Sequence, residues 1–245
     1  MTNMIADPEK YKYRTELHAH TSPASWCGRI GAKELIKTYA SLGFDSIVIT
    51  NHFAYDCIKD RTDKNERRLF IEKYIKDFHD AYSAGVDLGV TVIVGTELRF
   101  SGSHNDYLFF GIDESFFEIA YDYLWRGLEQ FSHDMRNDNT LLIQAHPFRD
   151  NMVRVDHSLL DGIEVYNMHP AHNSRVALAA KYAKENNLIV TGGSDTHDPD
   201  WEGLCALRTK QKPETSFDIV KILKSRDYLL EIGGSMILPY GYVND

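Results

Sequence analysis

No run of apolar residues in the 245-residue chain approaches the ~20 that a membrane-spanning helix needs. Cysteine is scarce: Cys27, Cys57 and Cys205 are odd in number and far apart, which is not the pattern of a disulfide framework. Positive charge is also short, with 27 Lys and Arg against 36 Asp and Glu, a net −9. That balance argues against a broad surface for nucleic acid or an anionic membrane, while it suits a protein that holds several divalent cations. No Gly-rich turn follows the first expected strand, and neither G-x-G-x-x-G nor G-x-x-x-x-G-K-[ST] occurs, so a nucleotide-cofactor domain is not expected. Linkers, charge blocks and low-complexity segments are missing too. The chain therefore reads as one domain over 1–245, with its motifs within about 14–208. Residues 1–13 are polar and contain no apolar h-region, so no secretory leader is expected and the cytoplasm is the default location.

What is present is an ordinary balance for a packed protein, 43% hydrophobic and 26% charged residues. Residues 32–42 carry Leu35, Ile36, Tyr39 and Leu42 on one helical stripe, with Gly43 placed to end the helix in a left-handed conformation. Ile47-Val48-Ile49-Thr50 is a β-branched run suited to a strand covered on both faces. The alternation repeats: a helix over about 66–84, strands over 90–95 and 107–110, and a helix over 116–134 broken near Gly127. Further strands are expected at 141–145, 162–167, 188–191 and 204–208, with helices at 173–187 and 217–225; residues 228–245 give no assignment. Strands alternating with helices predict a parallel sheet. The number of units, with polar residues at the strand ends, favours a closed or nearly closed α/β barrel, and in barrels those ends carry the chemistry.

Leu17-His18-Ala19-His20 stands at the first such end. Residues i and i+2 of a strand share a face, so the two imidazoles converge on one point, and neutral imidazole is a common ligand for zinc, manganese and iron. Later strand ends add His52, Glu97, His146, Asp195 and His197. Ligand-type residues recurring at separate strand ends are the pattern of a metal centre.

The ordered set Glu16-Leu17-His18-Ala19-His20-Thr21, Thr50-Asn51-His52, Gly95-Thr96-Glu97, Ala145-His146-Pro147-Phe148-Arg149 and Gly193-Ser194-Asp195-Thr196-His197 resembles the motifs of the PHP family, named for polymerase and histidinol phosphatase. The resemblance covers about residues 14–200. It implies a distorted (β/α)7 barrel with two or three divalent metals, manganese, zinc or iron, at its C-terminal face. It also implies phosphoesterase activity, histidinol-phosphatase-like, on a small phosphorylated substrate. By position, His18, His20, Glu97 and Asp195 hold one metal; Glu97 bridges to a second completed by His146 and a residue of the following segment; His52 and His197 contribute to a third.

Two departures stand out. Trp26-Cys27-Gly28 replaces the usual His or Asp, so either the Cys27 thiolate coordinates a soft metal or the third site is weak or empty. Asn51 stands where the family commonly has Asp. Near the expected strand at 107–110 the family places a ligand, and alignment on Leu108 and Gly111 favours Asp106 over His104. Glu97, Asp195 and His197 are the residues expected to act in catalysis, His197 as a ligand or as proton donor to the leaving alkoxide. Substrate phosphate calls for a guanidinium fork, first Arg149, then Arg99 and Arg175. His169 and His172 are expected at the rim, His172 in contact with substrate. His79, His133 and His157 are expected on the surface. Three other readings keep the metal residues: an amidohydrolase-type enzyme, a phosphodiesterase or nuclease, and a non-catalytic metal-binding module. The first normally supplies a lysine on a middle strand, where this chain has Glu97.

Overall fold

In the computed structural model, residues 7–61 and 63–240 are described. Twelve strands form two six-stranded sheets. The first runs β12 (Ser235–Ile237), β11 (Leu229–Ile232), β10 (Cys205–Thr209), β1 (Tyr13–Ala19), β2 (Ser46–Ile49), β4 (Thr91–Val94). The second runs β3 (His52–Ala54), β5 (Thr96–Arg99), β6 (Tyr107–Phe110), β7 (Leu141–Gln144), β8 (Gly162–Asn167), β9 (Ile189–Gly193). At two of its passages between the sheets the chain runs directly from strand to strand, β2 into β3 across Thr50-Asn51 and β4 into β5 across Gly95. The Gly95 amide bonds the Ile49 carbonyl at 3.1 Å, and a Cβ there would lie 2.7 Å from Val48 Cγ1. Only glycine lets the two segments cross so closely.

The sheets are mixed rather than all parallel, and the hydrogen-bonded ladders form two separate sheets. Strands β5–β6, β6–β7 and β1–β10 pair antiparallel. Residues 100–106 are too few for a helical crossover, which forces β6 to run back beside β5. The ladder does not close: past the end of β9, Thr196 meets Ala19 through an isolated bridge, with the His20 amide on the Thr196 carbonyl at 3.1 Å. This meeting still places the His18–His20 pair directly beside the 194–197 turn.

Helices cover the strands: α1 (Ala32–Ser41), the short α2 (Tyr55–Ile58), α3 (Lys64–Leu88), α4 (Phe116–Arg126), α5 (Leu128–Met135), α6 (Val176–Glu185) and α7 (Ser216–Ser225). In α1 the residues Leu35, Ile36 and Tyr39 are buried as their spacing requires, whereas Leu42 caps the helix and is 41% exposed. Gly43 takes φ +73 and Gly127 φ +91, at the helix end and at the break expected from the sequence. Gly85 does not end α3. Its missing Cβ admits the Val90 carbonyl oxygen to 2.5 Å of where that atom would stand, so the helix packs on its own return and runs to Leu88. The unassigned tail supplies β11 and β12, joined by Gly233-Gly234 at positive φ. No helix among the described residues is long and apolar enough to cross a membrane.

Candidate metal centre

The strand ends converge. His18 and His20 leave β1 with both rings fully buried, centroids 5.1 Å apart. Glu97, on β5, lies at the middle of four imidazoles: Oε1 is 3.3 Å from His18 Nε2 and 3.3 Å from His146 Nε2, while Oε2 is 3.4 Å from His20 Nε2 and 2.9 Å from His52 Nδ1. Asp195 Oδ1 stands 3.4 Å from both His18 Nε2 and His20 Nε2, and 3.2 Å from His197 Nδ1. Asp106 approaches His146 Nε2 at 3.9 Å and forms a compact trio with His52 and Glu97. His20, His52 and His197 form another.

These atoms are close without being bonded. His18 Nε2, His20 Nε2, His52 Nδ1 and both Glu97 oxygens are buried and carry no directed hydrogen bond. An unpaired buried polar atom costs about 1–3 kcal/mol, so five at one point demand a partner. A divalent cation accepting lone pairs from imidazole and carboxylate meets that demand, and the N and O donors fit zinc, manganese or iron.

The outer atoms of the rings are held so that the inner ones carry lone pairs. The Glu164 carboxylate can only accept, so His18 Nδ1 donates to its Oε1 at 2.9 Å and Nε2 is bare. Ser25 gives its one proton to Asn51 Oδ1 at 3.0 Å; its Oγ therefore accepts from His20 Nδ1 at 3.0 Å, and His20 Nε2 is bare as well. The Thr21 amide fixes Asn51 Oδ1 at 2.7 Å, and Asn51 Nδ2 donates to Thr21 Oγ, which in turn donates to Asp77. This chain needs an acceptor and a donor on one side chain. That explains an amide at position 51, where an aspartate would leave Thr21 Oγ without its donor.

Sequence reading missed Glu164 and Glu16. Glu164 Oε2 also accepts the His146 amide at 3.1 Å and Asn167 Nδ2 at 2.9 Å, and that same amide group reaches Asp195 Oδ2 at 3.0 Å. Glu16, fully buried, takes the His18 amide at 2.9 Å and the Ser194 amide at 3.0 Å, locking β1 to the 194–197 turn. Gly193 permits that approach, since a Cβ there would fall 2.3 Å from His18 Cβ. Two residues of the centre sit in the left-handed region, His146 at φ 31 and Asp195 at φ 52, a strain typical of functional sites.

Burial opposes charge on every group here, and the neighbours decide the outcome. For His18 the carboxylates of Glu164, Asp195 and Glu97 outweigh burial and hold it well above the usual imidazole range. Burial would lower His52 and His197, yet Glu97 and Cys27 carry the first up to about 10, and Asp195 and Cys27 the second to about 11. Burial with His197 and His52 nearby drives His20 well down. Glu97 and Asp195 fall well below the carboxylate range, because the imidazoles overcome burial. Metal and proton compete for the same inner nitrogens: without metal these carboxylates favour protons there, and with metal the lone pairs are taken by the cation.

A cleft of about 280 Å3 opens onto the centre, lined among others by Trp26, Arg99, Arg149, His169, His172 and Trp201. Arg149 Nη1 is 3.9 Å from Asp195 Oδ2. Arg99 grips Asp106 through Nε at 2.7 Å and Nη2 at 2.8 Å. His104 is exposed, while Asp106 is buried in the centre. Arg175, expected to bind substrate, donates its guanidinium to the Phe148 carbonyl and pairs with Asp150, and it is not among the residues lining the cleft. His169, read from sequence as a rim residue, is buried and groups with Asp195 and His197 as a third set of possible ligands. His172 is exposed at the cleft, its ring centroid 4.3 Å from that of His169 with the planes tilted by 33°. His79, His133 and His157 are outward, pairing with Glu114, Asp134 and Asp156 respectively.

No curated protein matches the chain. Among solved structures it resembles a two-domain protein of Bacteroides vulgatus, described as containing a predicted PHP-like metal-dependent phosphoesterase, at 16% identity and TM-score 0.65, over 95% of this chain and 68% of that one. PsfC of Pseudomonas syringae matches at 17% identity and TM-score 0.51, over 80% of each chain. An amidohydrolase of Chromobacterium violaceum matches at 14% identity and TM-score 0.49, over 76% of this chain and 88% of that one. At such identities the likeness is one of fold. The sequence profile of the PHP domain matches residues 16–234, from Glu16 to the turn of the β11–β12 hairpin, and the protein belongs to the PHP family.

Proposed function

We propose that the protein is a metal-dependent phosphomonoesterase: phosphate monoester plus water gives alcohol and phosphate. The observation that carries this reading is the convergence of unpaired buried donors beneath a small cleft with guanidinium groups at its edge. His18, His20, Glu97 and Asp195 would hold one divalent metal, Glu97, Asp106 and His146 a second, and His52 and His197 a third. Metals held by these residues would supply Lewis-acid chemistry: a more acidic bound water and charge stabilisation during in-line displacement at phosphorus. Continuity of strand across Gly95 and the Ala19–Thr196 bridge supports reading the two sheets as one distorted (β/α)7 barrel with this centre at its C-terminal face.

The chain's own groups divide the remaining work. Arg149 presents a fork to substrate phosphate, a task for which its planar donors suit it better than lysine. Arg99 holds the Asp106 carboxylate in place through two parallel hydrogen bonds and aims it inward. His197 donates Nδ1–H to the Asp195 carbonyl at 2.9 Å, turning Nε2 into the centre, and we assign it as a ligand. Trp26, Trp201 and His172 border the substrate and limit water. A small cleft and net −9 favour a small phosphorylated molecule over long nucleic acid.

Arg149→Ala is expected to raise KM for a phosphomonoester about ten- to a hundredfold, the scale of a lost charged hydrogen bond. Arg175→Ala is expected to leave KM within about twofold, since surface pairs contribute little. Steady-state kinetics on p-nitrophenyl phosphate distinguishes them. Equal behaviour of the two variants would remove Arg149 from the substrate site.

A further inference from the structure

Loop 21–31 carries one feature that this function does not use. It runs over the centre and is tied to the metal residues on both sides of Cys27. Before Cys27, Ser25 Oγ accepts from His20 Nδ1 and from the His52 amide, each at 3.0 Å. After Cys27, the Arg29 amide bonds the carbonyl oxygen of His197 itself at 2.8 Å. Gly28 completes the turn, its amide on the Ser25 carbonyl at 3.2 Å, where a Cβ would press to 3.3 Å of the Thr21 carbonyl. The thiol so fixed lies 3.1 Å from His197 Nε2, lines the cleft and also interacts with His52.

The imidazoles it joins await a partner. His20 Nε2 and His52 Nδ1 are buried without a directed hydrogen bond, and His20, His52 and His197 present nitrogens within 4.8 Å of one another. Cys57 and Cys205 are outside the cleft lining. A cysteine used as a small core hydrophobe sits among apolar atoms; this one is half-buried among imidazoles.

We infer that Cys27 is a thiolate ligand of the metal held by His52 and His197, completing the outermost site with sulfur. The inference rests on the metal-centre reading above and goes beyond it by giving the three sites different tastes. Inner sites of imidazole and carboxylate accept manganese, zinc or iron, whereas a thiolate selects zinc or ferrous iron over manganese. Cys27 therefore makes this protein prefer a thiophilic metal at one position.

Cobalt(II) is the probe, because thiolate ligation gives a charge-transfer band in the near ultraviolet while d–d absorption reports uptake at any site. Wild-type protein titrated with cobalt is expected to show that band, Cys27→Ser to lack it, and Cys57→Ser to keep it. Cys27→Ser is also expected to bind its last zinc equivalent at least about tenfold more weakly, the scale that even an outer partner of a metal site commands. Cys27→Asp is expected to restore the metal count with preference moved toward manganese. Cobalt uptake seen by d–d absorption without the band, or a band that survives in Cys27→Ser, overturns the cysteine assignment alone. No cobalt uptake at all overturns the metal centre, and the inference falls with it.

Discussion

Glu97→Gln is expected to lose at least one metal per chain and to reduce kcat/KM by about a thousandfold or more. Its two oxygens face four imidazoles at 2.9–3.4 Å, more of the candidate ligand histidines than any other carboxylate among the described residues meets. Glutamine keeps the volume, so the site does not collapse for want of packing. It loses the charge, and its amide group turns donors toward the centre. Metal-ion stabilisation of a phosphoryl transition state supplies several kcal/mol, and each 1.4 kcal/mol is tenfold in rate. Metal content by plasma emission and kinetics on one preparation make the measurement. A variant with full metal and activity within tenfold of wild type would remove Glu97 from its bridging role.

The second large effect is an opposite pH dependence of stability with and without metal. In the metal-free protein His52 titrates at about 10 and His197 at about 11, and His18 is raised as well, against an unfolded value near 6.5. Between pH 6.5 and about 10 the folded state thus binds more protons than the unfolded one. Stability then falls as pH rises through this window. Cys27, brought down to about 6 by His197 and His52 despite burial, works the other way from pH 6 to 9 and cancels about one histidine. The remaining histidines decide the sign. Metal ligation removes these protons in advance, so the loaded protein escapes the alkaline loss and instead weakens below about pH 6.5, where protons compete for the imidazoles. At a metal concentration about 100 times Kd each site adds roughly 2.7 kcal/mol. For a chain of this size that is roughly 5–10 °C in Tm per site. Thermal unfolding of apo and manganese-loaded protein from pH 6 to 9 should give curves that diverge with pH. An apo Tm that rises over that range contradicts the proton inventory.

Much of the centre was legible because its residues obey local rules. His18 and His20 sit two apart on a strand, and His52, Glu97, His146 and Asp195 follow strands that announce themselves by β-branched runs. Glu164 was harder, yet it left a trace: a carboxylate inside Gly162-Ile163-Glu164-Val165 is a charge in a buried strand, which does not occur without a partner. Glu16 leaves the same trace beside Leu17. The terminal hairpin also had its signal, since Gly233-Gly234 is a two-residue turn of the type that joins antiparallel strands. Asp106 could be preferred over His104 only by alignment, because residues two apart share a face in any strand that holds both, so alternation does not separate them. No local pattern tells that the Arg175 fork rests on Phe148 and Asp150, since those partners are set by tertiary packing. The open ladder at Ala19–Thr196 is likewise set by long-range packing.

The most direct test of the account is phosphate release from a panel of phosphomonoesters by manganese- or zinc-reconstituted protein, with chelated protein and Asp195→Ala as controls. The account predicts release by the loaded protein and its loss in both controls, with phosphodiesters and amides turned over poorly. Silence across the panel while two or more metals are bound per chain would contradict it.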